Sequence, residues 1–273
     1  ITGVSAGNLA GVNAAVLDKN AGDTDTVSEV QAIVNAVSAV SVGIISAAAQ
    51  ANNATDSTPN ASTYSAAGVT GVTAANLAAI NSALNSANID GTATDTGGKI
   101  QAIVDSYSAI LAAADASAGN TATRPGAQDY ANIGVTGVDS AAKAALLGDV
   151  IDGLNTTAVD TIPELQALAA AAAKVMAAAN STDGNATGNE VTAADLAALG
   201  IDTSGITADQ LKAVQMAIAA SADDGAAVDS QGELQTLVSN ALTVYNTALA
   251  KIADYADNSS NPAPTAADYA AAG

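Results

Sequence analysis

Cysteine, histidine, tryptophan and phenylalanine are all absent from the 273 residues. Without cysteine there is no disulfide framework, no thiol nucleophile and no thiolate metal site. Without histidine the side chain that titrates nearest neutral pH is missing, and with it the commonest general base. Positive charge is scarce: 7 Lys and Arg stand against 27 Asp and Glu, a net charge of −20. Nucleic acid and anionic membrane both need clustered Lys or Arg, so neither is expected as a partner. No apolar run reaches the roughly 20 residues of a membrane span, so no membrane insertion is expected. No signal peptide is visible, and the chain opens on Ile1; it reads as a processed chain or a piece of a longer one.

What remains is alanine-rich and periodic. Apolar residues make up 49% of the chain, and their regular spacing argues for folded helices over disorder. Two landmarks recur four times in the same order. The stretches "TYSAAG", "DYANIG", "DLAALG" and "DYAAAG" close at Gly68, Gly134, Gly200 and Gly273, at spacings of 66, 66 and 73 residues. The stretches "EVQAIV", "KIQAIV", "ELQALA" and "ELQTLV" centre on Gln31, Gln101, Gln166 and Gln235. They divide the chain into helical repeats 1–68, 69–134, 135–200 and 201–273, the fourth a longer variant. The joint "AAAG" followed by "ITGV" would continue the phase, so the chain is expected to be a window on a longer array.

Each copy reads as three helices, giving an all-α chain of four tandem Ala-rich three-helix repeats, end to end as an elongated array. In the second copy a first helix is expected over residues 74–86, with Leu77, Ile80 and Leu84 on one face and Thr73 as its N-cap. Thr207 with Gln210 forms the corresponding capping box in the fourth copy. A longer second helix carries Ile100, Ile103, Val104, Tyr107, Ile110, Leu111 and Ala114 at three-four spacing. Capping boxes open it at Thr26 with Glu29, Thr161 with Glu164, and Ser230 with Glu233. The second copy departs there, with Thr96 followed by Gly97, Gly98 and Lys99, a start expected to fray. In the fourth copy this helix should run on through "TVYNTALAKIADYAD". A short third helix closes each copy; in the last, Thr265 caps, Asp268 supports the first turn and Gly273 takes a left-handed turn. Tyr64, Tyr130, Leu196 and Tyr269 share one position and are expected to be buried anchors. Strand patterning is poor; "IGVTGV" could at most pair locally.

Chemistry is hard to find. No serine has a base beside it, and the acidic residues fall in loops and first turns, where capping is the ordinary role. "TDTGGK", residues 94–99, lacks the first glycine and the preceding strand of a phosphate loop, and reads as a helix start. No catalytic, cofactor-binding or metal residues are expected, and no cofactor. Calcium is the residual alternative: residues 183–188 ("DGNATG") place oxygens at alternate positions, but Ala194 stands where a bidentate Glu is needed. Residues 223–229 and 23–26 are further acidic loops. Glycosylation sequons at Asn53, Asn60, Asn155, Asn180, Asn185 and Asn258 are expected by chance in so Asn- and Thr-rich a chain.

The Ala/Thr/Asp/Gly-rich units with joints like "PTAADYAAAGVTGV" resemble the tandem repeats of giant bacterial surface adhesins of the biofilm-associated type. The resemblance implies an exported extender at the bacterial cell surface, with adhesive domains elsewhere; such adhesins often use β-sandwich extenders, from which this helical pattern departs. Each unit, with "GITADQL" and "ELQTLV", is also similar to three-helix albumin-binding modules. The leading expectation is a structural, non-catalytic stalk whose partners are neighbouring repeats of the same or identical chains. The alternatives are a self-assembling extracellular filament or surface-layer subunit (a homo-polymer) and a module binding a host protein. Outer faces of Ala, Ser, Asn and Thr, with few large side chains, would offer little for such a hot spot.

Overall fold

The computed structural model describes residues 1–51, 58–117, 124–179, 191–221 and 225–273. They form an all-α structure with no strand, and "IGVTGV" is not one; an isolated antiparallel bridge links Asp115 and Asn155. The first, second and closing helices recur in order: α1 (Leu9–Leu17), α2 (Val27–Ala51) and α3 (Ala61–Ala66), then α4 (Leu77–Leu84), α5 (Gly97–Ala113) and α6 (Ala127–Asn132). They are followed by α7 (Ala141–Asp152), α8 (Ile162–Ala179) and α9 (Ala193–Ala198), and by α10 (Ala208–Ala219), α11 (Gln231–Asp257) and α12 (Ala266–Ala271). The fourth copy's second helix does run on through Asp257.

The chain packs as two units. One holds residues 1–136 and 151–165, the other residues 137–150 and 166–273, so the border falls inside the third sequence copy. In the first unit, α1 and α3 pack on α2, α4 and α6 on α5, and α4 also meets α2. In the second, α10 and α12 pack on α11.

The cores are thin in side-chain volume. Alanines at 49, 83, 113, 169, 172 and 179 are buried beside Ile45, Ile80, Ile100, Ile110, Leu146 and Leu165. A fully buried Ile or Leu contributes about 1.5–3 kcal/mol, and an Ala much less, so specific polar contacts carry more of the organisation than usual.

Three expectations need correction. The first helix of the second copy spans Leu77–Leu84, not 74–86, and Thr73 does not cap it by its hydroxyl. Instead the Thr73 N–H donates to Asn76 Oδ1 at 2.7 Å, the reciprocal half of a capping box. Tyr64, Tyr130 and Leu196 are fully buried, but Tyr269 is 55% exposed, with no covering element among the described residues. The large apolar side chains that do lie on outer faces include Leu17, Val27, Val40, Ile44, Met216, Val244 and Leu249. Finally, among the described residues two helices are long and apolar enough to cross a membrane, by length and composition alone: Val27–Ala49, mean hydropathy 1.9, and Ile162–Ala179, mean hydropathy 1.2. Interspersed polar residues, such as Ser, Asn and Gln in the first and Glu, Gln and Lys in the second, break the apolar run by eye while the average stays high. Half of the second window is buried inside the protein, as in a core helix.

Candidate functional site: the joints between sequence copies

The closing helices are only six residues long, too short to persist without help at both ends. At the start, Thr192 and Thr265 form capping boxes with Asp195 and Asp268, and Asn60 caps Thr63 N–H at 3.0 Å. At the end the chain reverses through a left-handed glycine. Gly68 has φ +81°; its N–H donates to the Ser65 carbonyl, and the Val69 N–H donates to the Tyr64 carbonyl at 3.0 Å. This is a Schellman turn, and it places the apolar residue after glycine against the anchor. The same Val135-to-Tyr130 and Ile201-to-Leu196 bonds recur. Gly134 at φ +83° is tighter still: a Cβ there would fall on the Ser86 hydroxyl. Gly273 has the expected left-handed turn, at φ +85°.

In the first two copies the recurrent glutamine clamps the entry stretch of its own copy, about thirty residues earlier, by its side-chain amide. Gln101 Oε1 accepts from Thr70 N–H at 2.8 Å, and its Nε2 donates to the Thr70 carbonyl at 3.1 Å. Gln31 does the same to Thr2, at 2.8 and 3.0 Å. One side chain thus satisfies both backbone groups of an extended residue, which explains why Gln is kept in the "EVQAIV" and "KIQAIV" landmarks. In the fourth copy Gln231 instead donates to the Leu199 carbonyl at 2.9 Å. An Asn completes the entry: Asn76 Nδ2 donates to the Gly71 carbonyl at 2.9 Å and to Ser108 Oγ at 3.1 Å. Asn8 repeats this with the Gly3 carbonyl and Ser38, at 2.7 and 3.5 Å.

The first and second copies meet through the anchor. Tyr64 Oη donates to Asn81 Oδ1 at 2.8 Å, and Asn81 Nδ2 donates to the Pro59 carbonyl at 3.0 Å. Both bonds are buried. Residues 59, 125, 191 and 264 each lie nine before a closing glycine, as Pro, Pro, Val and Pro. In the fourth copy Gln215 stands at the Asn81 position and donates to the Val191 carbonyl at 2.8 Å. The third copy carries Leu147 there, and Tyr130 Oη is buried without a hydrogen-bond partner among the described residues. Burial raises the Tyr64, Tyr107 and Tyr130 phenols well above the ordinary value, so all three stay neutral.

A loop supplies the second contact. Ser46 Oγ donates to the Gly91 carbonyl at 2.7 Å, and Tyr107 Oη to the Val159 carbonyl at 3.2 Å. The residue two before each long helix's cap is fully buried as Thr94, Val159 and Val228. In the first copy the corresponding Thr24 is only half-buried. Two of the few cations pin closing helices: Lys174 pairs with Asp195 at 2.9 Å, and Lys251 with Asp268 at 2.6 Å. The Lys251 ammonium, aided by Thr265, holds the Asp268 carboxyl at about 2. For Asp195, partial burial works upward, but the bonds from Thr192 and Lys174 outweigh it and its pKa is lowered.

Where the sequence's candidate sites fall on described residues, local structure engages several of their side chains. In the acidic loop 23–26, the Asp23 carboxylate accepts from Asn20 N–H at 3.2 Å, and Glu29 closes a capping box on Thr26. Hydrogen bonds from Thr26 hold Glu29 below the ordinary carboxylate range. The loop 183–188 lies outside the described residues, as does part of 223–229. Among the described residues no three His, Cys, Asp or Glu gather as metal ligands. In "TDTGGK", Thr96 caps Lys99 N–H at 3.3 Å, and Lys99 Nζ meets Asp95 at 2.8 Å and the Thr92 carbonyl at 2.8 Å. The start expected to fray is therefore capped and tethered. The sequon asparagines 60, 155 and 258 accept backbone N–H groups two or three residues on, the Asx geometry that favours Asn before Ser or Thr. Asn53, Asn180 and Asn185 are outside the described residues.

An apolar cavity of about 320 Å³ lies between α10, α11 and α12, bordered by Met216, Val244, Tyr245 and Ala272. In the second copy the corresponding positions are filled by larger side chains: Ala241 and Ala272 stand at the positions of Tyr107 and Ile133. The asparagines of the joints escaped the sequence reading, although Asn8 and Asn76, and Asn13 and Asn81, sit at equal distances from Gly3 and Gly71. No known protein family, curated protein or solved structure matches this chain.

Proposed function

We propose that this chain is a non-catalytic spacer, a run of stacking units that serves as an exported stalk at a bacterial surface. The observation that carries the reading is the recurrence of joint chemistry. The left-handed glycine turn returns in all four copies, and an anchor, an amide partner and a buried loop residue return at equivalent positions in most of them. Such units extend a chain by nearest-neighbour contacts alone. A net charge of −20 favours an extended array that repels its own kind except where contact is specific.

The test is length. Four units end to end should span on the order of 100 Å, at about 1.5 Å rise per helical residue. Small-angle scattering on the chain, and on a genetic fusion of two chains in tandem, should show the maximum dimension nearly doubling. A fusion that grows by much less would overturn the spacer. A self-assembling filament is the second reading, favoured by the open faces considered next.

A further inference from the structure

The face that joins the first copy to the second is uncovered in the fourth. In the first copy it consists of Ile45, Ala49 and Tyr64, all 0% exposed. Counting from the landmark Gln31 and Gln235, and from the closing glycines, the same positions in the fourth copy are Leu249, Ala253 and Tyr269. Leu249 is 46% and Tyr269 55% exposed, and Ala253 is exposed too.

The complementary face is uncovered in the first copy. Asn81, which receives the Tyr64 hydroxyl, is buried on α4; its counterpart Asn13 on α1 is exposed. Leu9, Asn13 and Leu17 lie four apart on one stripe of α1, and Leu9 and Leu17 are exposed, Leu17 at 87%. Ile1 is exposed where its counterparts Val69, Val135 and Ile201 are buried. The two open faces also match in chemistry. Tyr269 and Pro264 stand at the positions of Tyr64 and Pro59, and Asn13 at that of Asn81.

We infer that the Leu249–Tyr269 face of one chain receives the Leu9–Asn13–Leu17 face of a second copy, reproducing the joint between the first and second sequence copies. The inference rests on the stacking reading above. Tyr269 Oη donates to the second copy's Asn13, whose amide in turn donates to the Pro264 carbonyl. The contact is heterologous, so each bound chain presents a fresh face. Both partners are strongly acidic, so salt strengthens the association by screening their repulsion.

Sedimentation velocity on the full chain tests it, from about 10 µM to 1 mM, a span that detects dissociation constants up to the millimolar range. The expected result is a weight-average sedimentation coefficient that rises with concentration, more steeply at high salt. Leu17→Asp and Tyr269→Ala alter exposed side chains, so both variants keep their helices by far-ultraviolet dichroism. Each should self-associate at least about tenfold more weakly than the parent. Mixed, they should form a one-to-one pair and nothing longer, since each retains one intact face. A parent that stays monomeric to the top concentration, variants that assemble like the parent, or a mixture that fails to pair would each overturn the inference. A monomer that still scatters as a rod would overturn the docking alone; a tandem fusion that fails to lengthen would overturn the spacer.

Discussion

Two tyrosines at equivalent positions should respond oppositely to loss of one oxygen. Tyr64 Oη donates to buried Asn81 at 2.8 Å. In Tyr64→Phe, Asn81 Oδ1 stays buried without that donor, which costs about 1–3 kcal/mol. Tyr130 is as deeply buried, but its hydroxyl has no partner among the described residues. Tyr130→Phe removes a buried polar atom that already lacks compensation, a gain on the order of 1 kcal/mol. Both rings keep their packing, so the cavity term is negligible in each case. The two variants should therefore differ by about 2–4 kcal/mol, with opposite signs relative to the parent. In urea, at a slope of about 2 kcal/mol per molar, their midpoints should lie roughly 1–2 M apart. Far-ultraviolet ellipticity follows the transition, and the slope must stay constant for the comparison to hold. If Tyr130→Phe costs as much as Tyr64→Phe, the amide partnership does not organise the joint, and the argument from Asn81 fails.

Tyr64→Ala opens a core cavity and should cost about 3–5 kcal/mol, whereas Tyr269→Ala at the exposed equivalent should stay within about 0.5 kcal/mol; equal melting temperatures would refute the difference in burial. Gln101→Ala should cost about 1 kcal/mol and speed exchange of the Thr70 amide, and unchanged protection of that amide would count against the clamp. Gly68→Ala should cost about 1–2 kcal/mol through left-handed strain alone, since nothing lies near its missing Cβ; Gly134→Ala should cost clearly more, because Ser86 must also move, and thermal melts that rank the two the other way would contradict this. Acid should loosen α12: the Asp268 pKa is depressed from 3.8 to about 2, so its contribution is present above 3.8 and is lost as pH falls through about 2. A carboxyl chemical shift for Asp268 that titrates near 3.8 would remove the basis for that expectation.

The all-α class was legible because alanine-rich three-four periodicity and caps agreed. Thr207 with Gln210, Thr26 with Glu29, and the glycine at 273 all behave as their local patterns imply. Such signals depend on residues a few positions apart. The start of α4 was misread because Asn76 competes with Thr73 for the same turn, and the choice depends on Gly71 and Ser108. The burial of Tyr269 was misjudged for another reason. Equivalence in sequence fixes the side chain, but burial depends on what lies over it, and Tyr64 is covered by α4 while Tyr269 is not. The Gln landmark was visible as a repeat, yet its pairing with a residue about thirty positions earlier is a tertiary fact that spacing alone does not contain.

The joints also explain how so alanine-rich a chain can hold a defined arrangement. Apolar contact between small side chains is weakly directional, and helices that meet through Ala can slide without large loss. A buried Tyr–Asn–carbonyl relay cannot slide, because displacement by one residue strands two polar groups away from water. Gln31 and Gln101 act similarly on exposed backbone, fixing the entry of the first helix in the first two copies. Register is thus set by a few amides, and bulk cohesion by the alanine faces. The joints are not chemically equal, since residues 81, 147 and 215 are Asn, Leu and Gln. Copies are therefore not interchangeable: moving Leu147 into the second copy by Asn81→Leu removes the partner of Tyr64 and the bond to Pro59 together. That single change tests whether alanine packing suffices to hold the register once its polar key is gone.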